Sequence, residues 1–281
     1  MSSPLSAPGF QPVLIHGALK LILAITFALY LAPANAGAQQ PFSTDNADIT
    51  DYKKFHFQLS NEYDLLQRSS FPSLRQNTTV FELDYGLLKN VEIGVDGPLI
   101  AISNSRITTP KTPFGFGDLD FHVKYNFLRE RKGSRLPAMT LTVNVELPTG
   151  NAREQLGSGL TDYFLNGILQ KSVTKETKLR LNGGILFAGN GTTGAIGIRQ
   201  RGRVFVGGIS LVKQFTPKLD LGAEITGAVT SSLKLSRGQL QGLIGGNYQM
   251  TKKMSFDFGI VAGKFSASPR AGLQVGISVD F

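Results

Sequence analysis

Arg270-Ala271-Gly272-Leu273-Gln274-Val275-Gly276-Ile277-Ser278-Val279-Asp280-Phe281 ends the chain. Ala271, Leu273, Val275, Ile277, Val279 and Phe281 share one parity; Arg270, Gly272, Gln274, Gly276, Ser278 and Asp280 share the other. Successive side chains of an extended strand point to opposite faces, so this stretch reads as a strand with one apolar and one polar face. The same period recurs upstream. Leu119, Phe121, Val123, Tyr125 and Phe127 oppose Asp118, Asp120, His122, Lys124 and Asn126. Met139, Leu141, Val143, Val145 and Leu147 oppose Thr140, Thr142, Asn144 and Glu146.

Working outward gives about twelve segments: 53–64, 76–86, 91–101, 118–129, 137–147, 161–173, 178–188, 202–215, 218–230, 237–250, 254–265 and 270–281. Each is near the roughly 9–11 residues a tilted strand needs to cross a bilayer. One orientation stays open: in 202–215, Val204, Val206 and Val212 compete with Phe205, Ile209 and Leu211 for the apolar face. Short basic turns such as Leu87–Asn90, Thr174–Thr177 and Thr251–Lys253 alternate with longer loops such as Ser103–Gly117, Pro148–Leu160 and Gly189–Arg201. Outer-membrane barrels place short turns in the periplasm and long loops outside, with an even strand number. The expected fold is all-β: a single transmembrane antiparallel up-and-down β-barrel of about twelve strands, its C-terminal strand ending in Phe281 and both termini periplasmic. A soluble two-sheet sandwich also alternates. The long segments, the short–long rhythm and the nearly continuous polar face favour the membrane barrel.

Composition narrows the function. The 281 residues include 32 Gly and no Cys, which excludes disulfides, thiolate catalysis and Cys-bound zinc. At 17%, charged residues are too few for a disordered chain. A net charge of +9 raises anionic partners. His16 and Lys20 precede the apolar run Leu21–Leu31, then Pro33 and Ala34-Asn35-Ala36. That is the order of a secretory signal, which predicts cleavage after Ala36. Residues 37–52 then read as a polar periplasmic tail, and 53–281 as the barrel. Export to the outer membrane of a Gram-negative cell argues against a nucleic-acid partner.

The polar parity marks the lumen. Thirteen acids lie on it: Glu62, Glu82, Asp84, Glu92, Asp96, Asp118, Asp120, Glu146, Asp162, Asp220, Glu224, Asp257 and Asp280. The bases there are Lys54, Lys124, Arg180 and Arg270, and the two histidines are His56 and His122. Buried carboxylates cost several kcal/mol each unless paired, and four bases do not pair thirteen acids. A hydrated, acidic, narrow lumen is therefore expected, with these residues lining it and inward glycines such as Gly94, Gly222, Gly245 and Gly259 leaving room. Twelve strands fall between filled eight-stranded barrels and wide porins. Neither a metal nor a cofactor is implied. His56 and His122 are far apart in sequence, and Ser60 lies roughly 13 Å from His56 at ~3.3 Å per residue. With no G-x-S-x-G elbow either, the chain does not read as an enzyme.

Two stretches carry a family resemblance. Gly115-Phe116-Gly117-Asp118-Leu119-Asp120, continuing to Tyr125, and Val145-Glu146-Leu147-Pro148-Thr149-Gly150-Asn151, followed by Leu156-Gly157-Ser158-Gly159 and Asp162, resemble the MetA-pathway of phenol degradation family of outer-membrane transporters. Phe281 at the end of an alternating strand resembles the terminal signal read by the outer-membrane assembly machinery. The resemblance implies facilitated diffusion of small hydrophobic or aromatic molecules. Two rivals remain: a non-conducting structural or adhesive barrel, and a sugar- or nucleoside-type porin. Expected partners are outer-membrane lipids, lipopolysaccharide, the assembly machinery and a small-molecule solute.

Overall fold

The computed structural model describes residues 41–68, 74–105, 110–187, 191–198, 201–231 and 238–281. The proposed signal peptide lies outside them. Twelve long strands form the wall: β1 (Phe55–Leu66), β2 (Arg75–Leu88), β3 (Val91–Ser103), β5 (Leu119–Leu128), β6 (Ala138–Leu147), β7 (Asp162–Ser172), β8 (Thr177–Phe187), β11 (Val204–Thr216), β12 (Leu219–Thr230), β13 (Gln239–Gln249), β14 (Met254–Gly263) and β15 (Pro269–Asp280). Every end lies within two residues of the bounds expected from alternation. Three short strands sit in the connections: β4 (Phe114–Phe116), β9 (Gly191–Thr193) and β10 (Ile196–Ile198).

Each long strand pairs antiparallel with its chain neighbour, and β1 also pairs with β15, from His56 opposite Asp280 to Leu66 opposite Pro269. At the seam, Phe55 N–H donates to Phe281 C=O at 2.7 Å and Phe281 N–H donates back at 3.0 Å. The terminal residue thus completes a closed wall with no free edge along it. Burial is inverted relative to a soluble protein. Ile244, Ile260 and Leu273 are exposed on the outside, whereas Gln58, Asp64, Asp84 and Lys124 are buried within. Among the described residues no helix is long and apolar enough to cross a membrane; the crossing elements are the strands. Phe55 stacks with Phe281 and contacts Tyr85, with ring centroids 5.6 and 4.7 Å apart, forming an aromatic group at the end that carries the short turns.

The open orientation in 202–215 is settled. Phe205, Ile209 and Leu211 face outward, and Val204 and Val212 are buried inside. Lumen contacts decide this: Val212 meets Phe42, Leu243 and Val261, and Val204 meets Ile198, Ala228 and Ala267.

Residues 37–52 read in the sequence as a polar periplasmic tail. The structure corrects this for its described part, because residues 41–50 run inside the barrel. The segment leaves the wall at Tyr52, which bridges to Gly86, with Lys53 in the left-handed region (φ 63°). It then crosses the lumen to Phe42. The physical reason is that its backbone N–H and C=O groups satisfy inward side chains that lack partners on the wall.

Candidate functional site

The lumen is built by the even-numbered side chains of the long strands β1 to β12 and β15 and the odd-numbered ones of β13 and β14, and the N-terminal segment is threaded among them. Glu224 accepts two backbone N–H groups, from Ser43 at 2.9 Å and Thr44 at 2.6 Å. Lys124, almost fully buried, pairs with Asp45 at 2.9 Å. Ala47 C=O accepts from Asn126 Nδ2 and Thr140 Oγ1, each at 2.7 Å. Gln170 Nε2 donates to Asp48 at 3.1 Å, and Lys178 lies 3.5 Å from the same carboxylate. Arg180 Nε donates to Gln170 Oε1 at 3.1 Å, which orients that amide toward Asp48. Thr50 N–H donates to Glu92. Burial pushes the Asp48 pKa up, but Lys178, the Gln170 hydrogen bond and Arg180 together outweigh it and hold the carboxyl below the ordinary aspartate range. Four residues expected to line an open pore, Glu92, Lys124, Arg180 and Glu224, therefore clamp the segment or orient its clamp.

The inward glycines are corrected in the same way. A Cβ on Gly222 would lie 2.8 Å from the Phe42 ring, and one on Gly245 would lie 2.8 Å from Pro41. A Cβ at either position would also press on the neighbouring strand, at Leu211 C=O and Phe258 C=O, so the missing side chains let wall and segment close up rather than leave open pore. Phe42 completes the contact by packing on Val212, Leu243 and Val261.

The remaining acids divide by position. Cross-strand register lines up Glu82, Asp96, Asp120, Glu146 and Asp162 as direct neighbours along β2, β3, β5, β6 and β7. Like charges directly opposite one another repel; Asn144 Nδ2 donates to Asp120 at 2.9 Å. One row nearer the short turns, His56 Nδ1 lies 2.6 Å from Asp280, and His122 Nε2 lies 3.1 Å from Asp84. The two histidines, remote in sequence, thus stand in one row, each beside an aspartate. His56 Nε2 is buried with no hydrogen-bond partner, so no serine is in place for a Ser–His pair. Asp257 accepts from Asn247 Nδ2 at 2.5 Å and Ser278 Oγ at 3.0 Å. Glu62 and Asp64 sit on β1, Asp220 on β12 beside Asn247, and Arg270 on β15 at the opposite end of the strand from Asp280.

Asp118 belongs to the external rim. Its carboxylate accepts from Gly150 N–H at 2.8 Å and Ser158 N–H at 2.5 Å. Thr149 Oγ1 bridges the same strand start, accepting from Leu119 N–H and donating to Gly117 C=O. The two stretches that carry the family resemblance are therefore one latch, which docks the Pro148–Leu160 loop on the start of β5. Leu156 from that loop packs with Leu66, Leu74, Ile100, Ile102 and Ala195, forming an apolar cluster at the mouth. The turn between β9 and β10 is pinned there too, because Ala195 N–H donates to Gln76 Oε1 at 2.6 Å and Gln76 Nε2 to Thr193 C=O at 2.9 Å. At the other end, a cavity of about 1250 Å³ opens between the segment and the short turns, lined by Lys54, Arg131, Lys132, Lys175 and Lys178 among others.

Comparison with known proteins fits this architecture. Two solved structures share the fold: the KdgM porin (TM-score 0.51, 11% identity, 80% of this chain and 99% of that one) and the NanC porin (TM-score 0.55, 9% identity, 79% of this chain and 98% of that one). At these identities the likeness is one of fold. None of the curated proteins compared matches this chain. The model of the family described as MetA-pathway of phenol degradation matches residues 38–281, which takes in the lumen segment, the rim latch and the closing strand. A closed twelve-stranded, porin-like wall of the outer membrane, matched from its inner segment to its last residue, belongs to the MetA-pathway of phenol degradation family.

Proposed function

We propose that the barrel is a gated channel that passes small hydrophobic or aromatic molecules by facilitated diffusion, and that residues 41–50 are its displaceable plug. The observation that carries this reading is the change of character along the lumen. On β1, inward positions run from His56 to Asp64 as polar residues and then turn to Leu66; on β3, Glu92 and Asp96 give way to Ile100 and Ile102. A solute arriving from outside first meets the apolar cluster around Leu66, Ile100 and Ile102, where burial favours an aromatic ring by about 25 cal/mol per Å². It then reaches the acidic wall and the plug. The family's description, which names phenol degradation, agrees with that choice of solute. Arg68, Arg75 and Arg201, in or beside the external loops, are placed to meet lipopolysaccharide phosphates.

Planar-bilayer recording tests the proposal. The intact protein is expected to show small, infrequent openings that phenol or toluene reduces and sucrose does not. Blocking by sugars with indifference to phenolics would shift the reading to a hydrophilic-solute porin. Absence of current even after removal of 41–50 would make the barrel a structural one. The acidic lumen further predicts cation preference in a salt gradient; an anion-selective reversal potential would refute it.

A further inference from the structure

We propose that the lumen wall holds one divalent cation of the zinc class between Glu82, Asp84 and His122. Each offers one ligand atom, and these atoms lie within 4.8 Å of one another. A tetrahedral zinc shell with bonds of about 2.0–2.1 Å sets its ligands about 3.4 Å apart, so modest side-chain rotation closes the set.

Construction of the site across three strands is the first support. Asp84 on β2 and His122 on β5 are separated by β3, and both stand in register with Gly94. A Cβ on Gly94 would overlap the Asp84 carboxylate and the His122 ring. The missing side chain is what lets groups two strands apart meet. His122 Nε2 and Asp84 Oδ1 sit at 3.1 Å, an ion-pair distance without the alignment of a hydrogen bond, and Asp84 Oδ1 is buried with no hydrogen-bond donor.

Independent support comes from Gln58. It lies directly across from Glu82 in the β1–β2 register, is about 1% exposed, and neither its amide oxygen nor its nitrogen has a hydrogen-bond partner. A buried amide without partners costs about 1–3 kcal/mol. Its place opposite Glu82 leaves its oxygen available as a fourth, neutral donor to the ion. Imidazole with carboxylates suits Zn²⁺, whereas Mg²⁺ favours an all-oxygen octahedron. Two positive charges also balance two carboxylates that stand beside the Asp96–Asp120–Glu146 ladder.

Calorimetric titration of the folded, detergent-solubilised protein with ZnSO₄ tests this. One Zn²⁺ per barrel is expected, with MgSO₄ at least tenfold weaker. Asp84→Asn and His122→Ala should each weaken zinc by at least tenfold. Asp220→Asn, an inward acid on the opposite wall, should leave it unchanged. Gly94→Ala should lose the ion although every ligand is retained. Heat-modifiable gel migration verifies folding, and if Gly94→Ala does not fold, Asp84→Asn and His122→Ala decide the matter. Zinc that fails to bind the folded protein, binding unchanged in both ligand variants, or magnesium binding as tightly as zinc would each overturn the assignment.

Discussion

The two walls of the lumen are built on opposite plans. Strands β1 to β7 carry eight of the thirteen acids expected in the lumen, including Glu82, Asp84, Asp96, Asp120, Glu146 and Asp162. Strands β11 to β14 instead present Val204, Val212, Leu243 and Val261 alternating with Gly208, Gly222, Gly245 and Gly259. The first wall offers charge and the second offers a smooth recess. The N-terminal segment uses both: Pro41 and Phe42 rest in the recess, while Asp45 to Thr50 are gripped by polar side chains of β3 and β5 to β8. The contrast teaches that a barrel of one architecture can divide labour around its circumference, one side for shape and the other for electrostatics.

Breaking the contrast outright should give the largest effect. Deletion of residues 41–50 removes the plug from both walls, and single-channel conductance is expected to rise several-fold. The recess alone can be tested by Gly259→Leu, whose Cβ would stand 3.3 Å from Pro41, with the Leu243 side chain its next nearest contact; more frequent openings are expected, with unchanged heat-modifiable migration. Conductance equal to that of the intact protein would mean the segment does not control the path. Asp118→Ala keeps both walls and removes the rim latch. It strands the Gly150 and Ser158 N–H groups, each a charge-assisted bond worth about 1.5–3 kcal/mol, so faster proteolysis of the Pro148–Leu160 loop and a lower melting temperature are expected. The smallest effect comes from acid. The Asp48 carboxyl titrates below the ordinary aspartate range, so its contribution is complete above that range and fades as pH falls through the lowered value. Openings should therefore become more frequent only in strongly acidic solution, and Asp48→Asn should remove that dependence.

Much of this was legible in the residues. Alternation located all twelve wall strands because an apolar exterior and a polar lumen enforce period two along each one. In 202–215 the rule failed because the recess is itself apolar, so Val204 and Val212 mimic an outward face. The acids were visible, but their partners were not. Glu224 and Glu92 are satisfied by backbone N–H groups of Ser43, Thr44 and Thr50, which no count of side-chain charges reveals. His122 and Asp84 meet only through the register of β2, β3 and β5, and Gly94 is the one clue the sequence holds. Asp118 sits in a recognisable motif, but its role, tying one loop to one strand, depends on backbone N–H groups that only the fold brings to it.

The junction at Tyr52 and Lys53 has a consequence for leakage. The plug is covalently joined to the wall through a few residues, so its release is an intramolecular event, and a short tether keeps the freed segment at an effective concentration in the millimolar range. On the proposed gating, a solute that displaces Phe42 would compete with a ligand that never diffuses away. Reclosure would then need no signal and no energy source, and the barrier to passive leakage would be restored as soon as the solute had moved on.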